Sequence, residues 1–509
     1  MLRFTVYKDG KAADAVDLSG AYAFGPDGVG LRAELCFDDG QISLIKRNPA
    51  AAGLALKWDA GDSGQFLLAT TRLPDRDEPY HLNLELARGQ MTRLAQKRED
   101  WGLFDFAEAA DLNDEYGAVR DLFVEALKDA DPVSAAEKAD AALARGVTLG
   151  ERMALFHAEA FLSRRRFTLT ARPAFGCEVD LSQPSEQYAT RLRDACDHVW
   201  IPTRWKRVEP KSHQYEYQQI DNWVNWAVRN KRRIHAGPLL SFDEGSLPEW
   251  LYIWEHDYDT LRDLIYEHIQ RVVRRYKRHV RVWSVVSGLH CQTNFSFSFD
   301  QIMELTRMSC LLVKKLDPQA QVLIDLVTPW GEYYARNQRT IPPLLYADMA
   351  VQSGIKFDGF GVQIYQGVPV DGYYVRDLMQ ISTLLDEMVS MGKTIHISAC
   401  QVPSDVSPDV WDAWNGAEPV AQAGQWHAPW SPRLQAEWLQ AFSRVAISKP
   451  FVESICWRDL ADYEGHYIPH GGLCRSDLEP KLAYREMRNF RASLVGRAAQ
   501  EQQTPGQRP

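Results

Sequence analysis

The sequence is poor in the features that mark disulfide-bonded, nucleic-acid-binding and membrane proteins. Its 509 residues contain eight cysteines with no CxxC pair, so we expect reduced thiols rather than a disulfide framework. The 58 basic and 68 acidic side chains give a formal charge of −10, which argues against nucleic acid as a partner because such proteins carry a basic face. No stretch approaches the roughly 20 apolar residues of a membrane-spanning helix, so no membrane partner is expected.

The N-terminal segment also lacks the pattern of a secretory signal. Its apolar start, MLRFTV, is broken within a few residues by Lys8, Asp9 and Gly10. Together with the scattered cysteines, this pattern predicts a cytoplasmic protein. The composition, 45% hydrophobic and 25% charged, is typical of a soluble globular protein, and the aromatic share of 11% suits either a sugar-stacking cleft or a large core.

The first third of the chain divides into a β part and a helical part. Residues 1–100 contain short, partly alternating apolar segments separated by DG, PDG and DDG turns, which predicts a small β-sandwich-like domain. Such a domain could bind glycan or form an oligomer interface, and the sequence leaves both open. Residues 101–166 are rich in Ala, Leu, Glu and Arg and predict a helical connector.

From residue 167 the pattern becomes strand then helix, repeated. Eight such units up to residue 495 predict an α/β fold, a (β/α)8 TIM barrel, and the tail at 496–509 is polar and predicted to be disordered. An open doubly wound sheet is the alternative, but no Gly-rich phosphate loop follows the first strand. The predicted strands are FTLTA, DHVWIPT, RRIHAGPLL, VRVWSVV, QVLIDLV, FDGFGVQIY, KTIHISA and VESICW.

Six segments follow one another along the predicted barrel: RWKRVEP, LPEW, VWSVVSG, FDGFGVQIY, IHISACQVPSD and GGLCRSDLEPKLAYREM. In this order they resemble glycoside hydrolase family 10, the family of endo-β-1,4-xylanases, although no single segment would be specific. The resemblance covers about two thirds of the chain. It implies the barrel fold, no cofactor, a retaining double-displacement mechanism with two glutamates, and a β-linked oligosaccharide or polysaccharide as partner.

The departures from the family pattern fall on its catalytic positions. The acid/base glutamate after strand four corresponds to Gly288, and the nucleophile on strand seven corresponds to Ala399. Neither side chain can donate a proton or attack an anomeric carbon, so xylanase-type double displacement is not expected. The resemblance still implies substrate-binding roles at five positions, with Arg204 replacing a lysine and Tyr365 a histidine: Arg204, Trp205, Gln363, Tyr365 and Trp457.

These observations leave several hypotheses for the function. The first is a catalytically inactive glycan-binding protein or a scaffold. The second is a glycosidase or other carbohydrate enzyme with relocated carboxylates, since working residues of a barrel lie at the C-terminal ends of its strands. The candidate acids near those ends are Asp243, Glu244, Glu332, Asp405 and Asp459.

A third hypothesis pairs Cys400 with His290 as nucleophile and base, because strands seven and four face each other across the family's cleft. A structural thiol is the simpler interpretation of Cys400. Four histidines near strands lack the paired spacing of metal ligands, so no metal is expected: His235, His290, His396 and His466.

Overall fold

The computed structural model describes residues 1–165 and 174–501. Its strands belong to an N-terminal β region and a C-terminal barrel. The strands are β1 (Leu2–Thr5), β2 (Tyr7–Lys8), β3 (Lys11–Ala12), β4 (Tyr22–Phe24), β5 (Gly30–Leu31), β6 (Ala33–Asp38), β7 (Gln41–Lys46), β8 (Gly53–Asp59), β9 (Gly64–Ala69), β10 (Tyr80–His81), β11 (Ala174–Glu178), β12 (His198–Ile201), β13 (Arg233–Ala236), β14 (Leu240–Ser241), β15 (Val280–Ser287), β16 (Gln321–Leu326), β17 (Gly359–Tyr365), β18 (Thr394–Gln401), β19 (Gln425–Trp426) and β20 (Val452–Trp457).

The helices fill the middle of the chain and alternate with the barrel strands. Many begin at a side-chain cap: Ser298 and Gln301, for example, form a reciprocal capping box at the start of α8. The helices are α1 (Leu82–Asp100), α2 (Ala110–Lys128), α3 (Pro132–Arg165), α4 (Glu186–Ala195), α5 (Trp205–Val208), α6 (Gln218–Arg229), α7 (Tyr258–Tyr276), α8 (Phe299–Leu316), α9 (Tyr333–Arg336), α10 (Pro343–Gln352), α11 (Leu378–Val389), α12 (Pro432–Ser448) and α13 (Leu482–Glu501).

The C-terminal strands close into a parallel barrel. The order around it is β13-β12-β11-β20-β18-β17-β16-β15-β14, and the additional β13–β15 pairing closes the ring. Because β13 and β14 both pair with β15, they occupy one strand position, and the barrel has eight positions. The predicted (β/α)8 fold is therefore confirmed.

The first barrel strand differs from the prediction. The segment FTLTA at 167–171 lies outside the described residues, and the structure forms the strand at β11, between β12 and β20. The β-branched threonines made FTLTA the stronger candidate by propensity, whereas AFGCE contains a glycine and an alanine that disfavour a strand locally. Pairing on both sides decides the position, and it places Glu178 at the strand's C-terminal end.

The N-terminal region contains a four-stranded sheet, a five-stranded sheet and the two-stranded β2–β3 pair. The four-stranded sheet has the order β10-β1-β7-β6, and the five-stranded sheet has the order β19-β9-β8-β4-β5. Side chains from both sheets and from α1 belong to one buried core, including Phe4, Leu44, Phe66 and Leu86. The edge strand β19 comes from the barrel half of the chain, so the N-terminal sheet is completed by a segment more than 300 residues away in sequence.

Two further features bear on the sequence expectations. The final helix continues to Glu501, into the 496–509 segment predicted to be disordered, and residues 502–509 lie outside the described part. Over residues 1–165 and 174–501, every helix is too short or too polar to cross a membrane.

Candidate functional site at the barrel mouth

Gly288, which the sequence predicts to stand at the family's acid/base position, has little space around it for a side chain. Gly288 follows β15 with a φ of +69°, and a Cβ added there would lie 2.6 Å from Nε2 of Gln292 and 2.9 Å from Cγ2 of Val327. The Gln292 amide is held in place, because the Phe242 N–H donates to its oxygen at 2.6 Å and its nitrogen donates to Ser241 Oγ at 2.9 Å. A glutamate at 288 would need both a left-handed backbone and displacement of this amide.

The position corresponding to the nucleophile is covered by aromatic side chains. Ala399 on β18 is 2% exposed and packs in an apolar cluster with Tyr365, Tyr373 and Ile468. Tyr467 joins this cluster through a hydroxyl–hydroxyl hydrogen bond of 2.6 Å to Tyr373, with Trp414 packed beside it. The space above Ala399 is therefore filled by protein, and Tyr365 is part of the filling rather than of an open binding surface.

Two tryptophans predicted to stack on sugar lie in the core. Trp205 is 3% exposed, stacks on His268 at 4.4 Å between ring centroids and donates from Nε1 to Glu209 at 3.0 Å. Trp457 is 2% exposed and donates from Nε1 to the Gly471 carbonyl at 3.0 Å. Because each indole is at most 3% exposed and its Nε1 already donates to protein, little of either ring is available to a ligand, and the burial gives no support to the predicted substrate-binding role of these two residues.

A buried carboxylate lies inside the barrel beneath Gln363. Asp325 on β16 is 2% exposed and accepts a hydrogen bond from Ser284 Oγ at 2.8 Å. Burial raises the pKa of Asp325 to about 6, although hydrogen bonds from Ser284, Ser398 and Gln363 oppose the shift. Gln363 is partly exposed and thus connects this interior group to the barrel mouth.

A small polar cavity, here called the mouth pocket, remains where β11, β12 and β20 end. It encloses about 160 Å³, and its charged side chains include Glu178, Arg204, Arg458 and Asp459. Arg458 Nη1 donates to Glu178 Oε2 at 2.9 Å, and Arg204 Nη2 donates to Oε1 of the same carboxylate at 3.4 Å. The Tyr467 N–H donates to Asp459 Oδ2 at 2.7 Å, so the pocket adjoins the cluster that covers Ala399.

Arg458 and Glu178 form an ion pair that fixes the positions of both side chains in the mouth pocket. Burial lowers the pKa of Arg458, but Glu178, Tyr365 and Asp459 outweigh burial and raise that pKa well above its usual range. Arg458 therefore stays protonated and anchors Glu178 as an acceptor. Neither residue of this pair was predicted from the sequence: the strand before Glu178 was placed too early, and the family pattern gives the position of Arg458 no role.

The five candidate acids lie in different surroundings. Asp459 lines the mouth pocket, whereas Asp405 lines a separate cavity of about 670 Å³. Glu332 is fully buried and accepts a hydrogen bond from Arg376, which identifies it as half of a structural ion pair.

The two remaining acids follow the third barrel strand. Asp243 is partly exposed and accepts a hydrogen bond from Ser241 Oγ at 2.6 Å, and Glu244 is exposed. The mouth pocket is not lined by either of them. The structure therefore brings Asp459 together with Glu178, a carboxylate outside the predicted set.

The proposed Cys400–His290 pair does not form. Cys400 Sγ lies 3.4 Å from the Cys456 carbonyl, and burial raises the thiol's pKa, so a thiolate is disfavoured. His290 Nε2 instead contacts the Val327 carbonyl at 3.0 Å, and burial lowers the pKa of this histidine to about 4. Within the described residues, no cluster of three His, Cys, Asp or Glu side chains is arranged to hold a metal ion.

Comparison with known proteins places these observations in a family. The sequence profile of glycosyl hydrolase family 10 matches residues 170–428. Endo-1,4-beta-xylanase 3 of Hypocrea jecorina is 26% identical over 164 residues, 31% of this chain and 46% of that protein. Endo-1,4-beta-xylanase B of Thermotoga neapolitana is 22% identical over 181 residues, 33% of this chain and 49% of that protein. The chain thus spans about half the length of these curated relatives.

A solved structure, that of native xylanase 10B from Thermotoga maritima, superposes with a TM-score of 0.47 at 16% identity, covering 64% of this chain and 96% of that one. The family profile covers more than half of the 509 residues, and the strand order is that of a closed parallel barrel. The chain belongs to glycosyl hydrolase family 10.

Proposed function

We propose that this chain is a non-hydrolytic member of its family that binds carbohydrate instead of cleaving it. The observation that carries the proposal is the closure of both catalytic positions: Gly288 has no space for a side chain, and Ala399 lies under an aromatic cluster. A retaining glycosidase needs two carboxyl groups about 5 Å apart on either side of the scissile bond. Neither position supplies one.

The mouth pocket is the site where we expect a sugar to bind. Glu178 presents acceptor oxygens, and Arg204 and Arg458 present fixed N–H donors, which together match the donor and acceptor character of sugar hydroxyls. The volume of about 160 Å³ suits a short contact with a chain end rather than a long polysaccharide groove. The xylanase names of the relatives suggest β-1,4-linked xylo-oligosaccharides as first ligands to test.

Calorimetric titration with xylo- and cello-oligosaccharides tests this proposal. We expect saturable heat with the unaltered chain and at least about tenfold weaker binding by Glu178→Gln, which keeps the shape but loses the charge that Arg458 and Arg204 contact. Glu437→Gln, in an exposed ion pair on α12, is the matched control and should bind normally. The absence of heat with every glycan would leave the barrel as a scaffold and refute the binding role.

One observation favours a second candidate, an enzyme with relocated carboxylates. Glu178 and Asp459 line the same pocket, so an acid and a base could face one sugar unit. Aryl glycosides with a good leaving group test this alternative. Turnover abolished by both Glu178→Gln and Asp459→Asn would support it, and turnover unaffected by either would exclude this pair.

Three further expectations from the sequence remain proposals. They are a cytoplasmic location, a domain boundary near residue 100 with a helical connector to 166, and an N-terminal β region that supports oligomer formation or glycan binding. Analytical sedimentation of the purified chain would test oligomer formation. Detection of the chain in separated cell fractions would test its location.

A further inference from the structure

A second cavity, here called the loop cavity, lies beside the segment that follows β18. It has a volume of about 670 Å³ and is separate from the mouth pocket. Its lining combines one large aromatic residue, Trp411, with buried polar groups and exposed cationic groups. Several of its residues, Asp405 and Arg475 among them, lie in the segments that resemble the family, but none is a position to which the resemblance implies a substrate-binding role.

The floor of the loop cavity is built from buried, paired charges. Asp409, 8% exposed, has its Oδ2 2.8 Å from His466 Nε2 and accepts from the His470 N–H at 2.8 Å. Lys481, 7% exposed, donates to Ser404 Oγ at 2.9 Å and to the His470 carbonyl at 2.8 Å. Because each buried charge has a partner, this floor is rigid and presents the same surface before a ligand arrives.

Trp411 provides an aromatic surface above that floor. Its backbone N–H donates to Asp409 Oδ1 at 3.1 Å, which ties the indole to the buried network, yet 50% of the residue is exposed. The adjacent Val410 is 69% exposed. A single exposed aromatic residue is common on protein surfaces and does not by itself mark a binding site. The polar groups that surround Trp411 are what point to a ligand here.

Two of those polar groups are guanidinium groups without acidic partners. Arg475 and Arg485 both line the loop cavity and are exposed, and over residues 1–165 and 174–501 neither makes an ion pair. Two acids of the cavity already contact protein groups: Asp409 Oδ2 lies 2.8 Å from His466 Nε2 and accepts from the His470 N–H, and the partly buried Asp462 pairs with Lys481 at 2.6 Å. The exposed carboxylates Asp405 and Glu479 also line the cavity, and Asp405 accepts the Ser407 N–H at 2.8 Å.

We propose that the loop cavity binds an acidic oligosaccharide that carries a uronic acid. A pyranose ring stacks on Trp411 through its C–H face, and the carboxylate of the uronate pairs with Arg475 and Arg485. The assignment rests on the chemistry of the cavity and not on the mouth pocket. It gives the chain a site for charged glycans that is independent of the closed family cleft.

Titration with 4-O-methylglucuronosyl-xylotriose, and with xylotetraose as the neutral counterpart, tests the assignment. We expect the acidic sugar to bind more tightly, and its affinity to fall as salt is raised to about 0.3 M. The Trp411→Ala variant should lose about tenfold in affinity for it. The double variant Arg475→Ala/Arg485→Ala should lose the preference for the acidic sugar and most of the salt dependence.

Matched controls separate this site from general effects and from the mouth pocket. Trp254→Ala and Arg274→Ala change exposed residues elsewhere on the barrel and should leave binding unchanged. Glu178→Gln should weaken binding of neutral oligosaccharides at the mouth pocket, whereas the tighter, salt-sensitive binding of the acidic sugar at the loop cavity should persist. Trp411→Tyr keeps an aromatic ring and should retain most of the affinity. This variant provides the test if Trp411→Ala folds poorly. Equal affinity for the two sugars, or affinity unaffected by the Trp411 and arginine variants, would overturn the proposal.

Discussion

A Cβ on residue 288 would lie 2.6 Å from the side-chain nitrogen of Gln292. That nitrogen donates to Ser241 Oγ, and the oxygen of the same amide accepts from the Phe242 N–H. Both partners lie at the end of β14, so this strand fixes the position of the Gln292 amide. The Gln292 amide therefore occupies the space that a side chain at residue 288 would need. Because this amide is fixed by hydrogen bonds, placing a glutamate at residue 288 should not by itself give an active enzyme.

The double variant Gly288→Glu/Ala399→Glu tests that conclusion. We expect no glycosidase activity, because residue 288 has a φ of +69° and residue 399 lies beneath the tyrosine cluster. Unfolding stability should fall by about 3 kcal/mol or more, since a charge is buried at 399 and a strained backbone is imposed at 288. Aryl xylobioside hydrolysis and chemical denaturation measure the two effects. A folded, active double variant would show that the cleft can open.

The contact between Gly361 and Asp325 predicts a strict requirement for glycine. A Cβ at 361 would lie 1.4 Å from Asp325 Oδ1, inside a barrel that has no free space on that side. Gly361→Ala should therefore destabilise the chain by about 3 kcal/mol. Gly117→Ala on α2, where a Cβ meets nothing within 4 Å, is the control and should be neutral or slightly stabilising. Equal melting temperatures for the two variants would contradict the packing described.

Asp325 should make stability depend on pH in the acid range. Its pKa is raised from the usual 3.8 to about 6 in the folded chain, so the folded state holds the proton at a higher pH than the unfolded state does. The stabilisation from the protonated carboxyl is complete below about pH 4 and is lost as the pH rises to about 6, a difference of about 3 kcal/mol. Asp325→Asn should lack this loss.

Denaturation of the unaltered chain and of Asp325→Asn at several pH values provides the measurement. The free-energy difference between the two proteins should change between pH 4 and pH 6 and stay constant above that range. A difference independent of pH would mean that Asp325 titrates normally.

His427 should give a smaller dependence of the same sign as that of Asp325, but at a pH nearer neutral. Its Nε2 lies 2.9 Å from Glu151 Oε2, where α3 meets the segment that adds β19 to the N-terminal sheet. Burial lowers the pKa of His427, but Glu151 outweighs burial and raises it above 6.5. The ion pair is therefore fully formed below about pH 6.5 and weakens as the pH rises through the raised value.

Replacement of this histidine tests the linkage between the two halves of the chain. His427→Gln keeps a hydrogen-bond donor but removes the titrating group. The difference in unfolding free energy between this variant and the unaltered chain should therefore be largest at pH 6 and smallest at pH 9. Because the side chain is 38% exposed, the effect should stay below about 1 kcal/mol. Thermal unfolding at both pH values measures it, and an unchanged gap would argue against a charged pair.

The sequence was sufficient to predict the barrel because strands such as VRVWSVVS and FGVQIY carry apolar and β-branched runs that two-sided burial requires. It also predicted that Gly288 and Ala399 stand at the family's catalytic positions; Gly288 directly follows β15, the fourth barrel strand, and Ala399 lies on β18, the seventh. Strand one was predicted too early, since AFGCE has little intrinsic strand preference and is fixed by its neighbours β12 and β20.

The surroundings of the site could not be predicted from local pattern. Trp205 and Trp457 were predicted to bind substrate, but Trp205 stacks on His268 from α7, and Trp457 Nε1 donates to the Gly471 carbonyl in a loop after β20. The cover over Ala399 includes Trp414 and Tyr467, which come from two separate loops without a recognisable motif. β19 is two residues long, too short for any periodicity to reveal that it completes a distant sheet.

The most direct test of the central claim is the release of reducing ends from xylan by the unaltered chain, with an active family-10 xylanase as positive control. The closed positions at Gly288 and Ala399 predict no release above the buffer blank. Steady release by the unaltered chain that disappears in Glu178→Gln or Asp459→Asn would contradict the account and identify the mouth pocket as a catalytic centre.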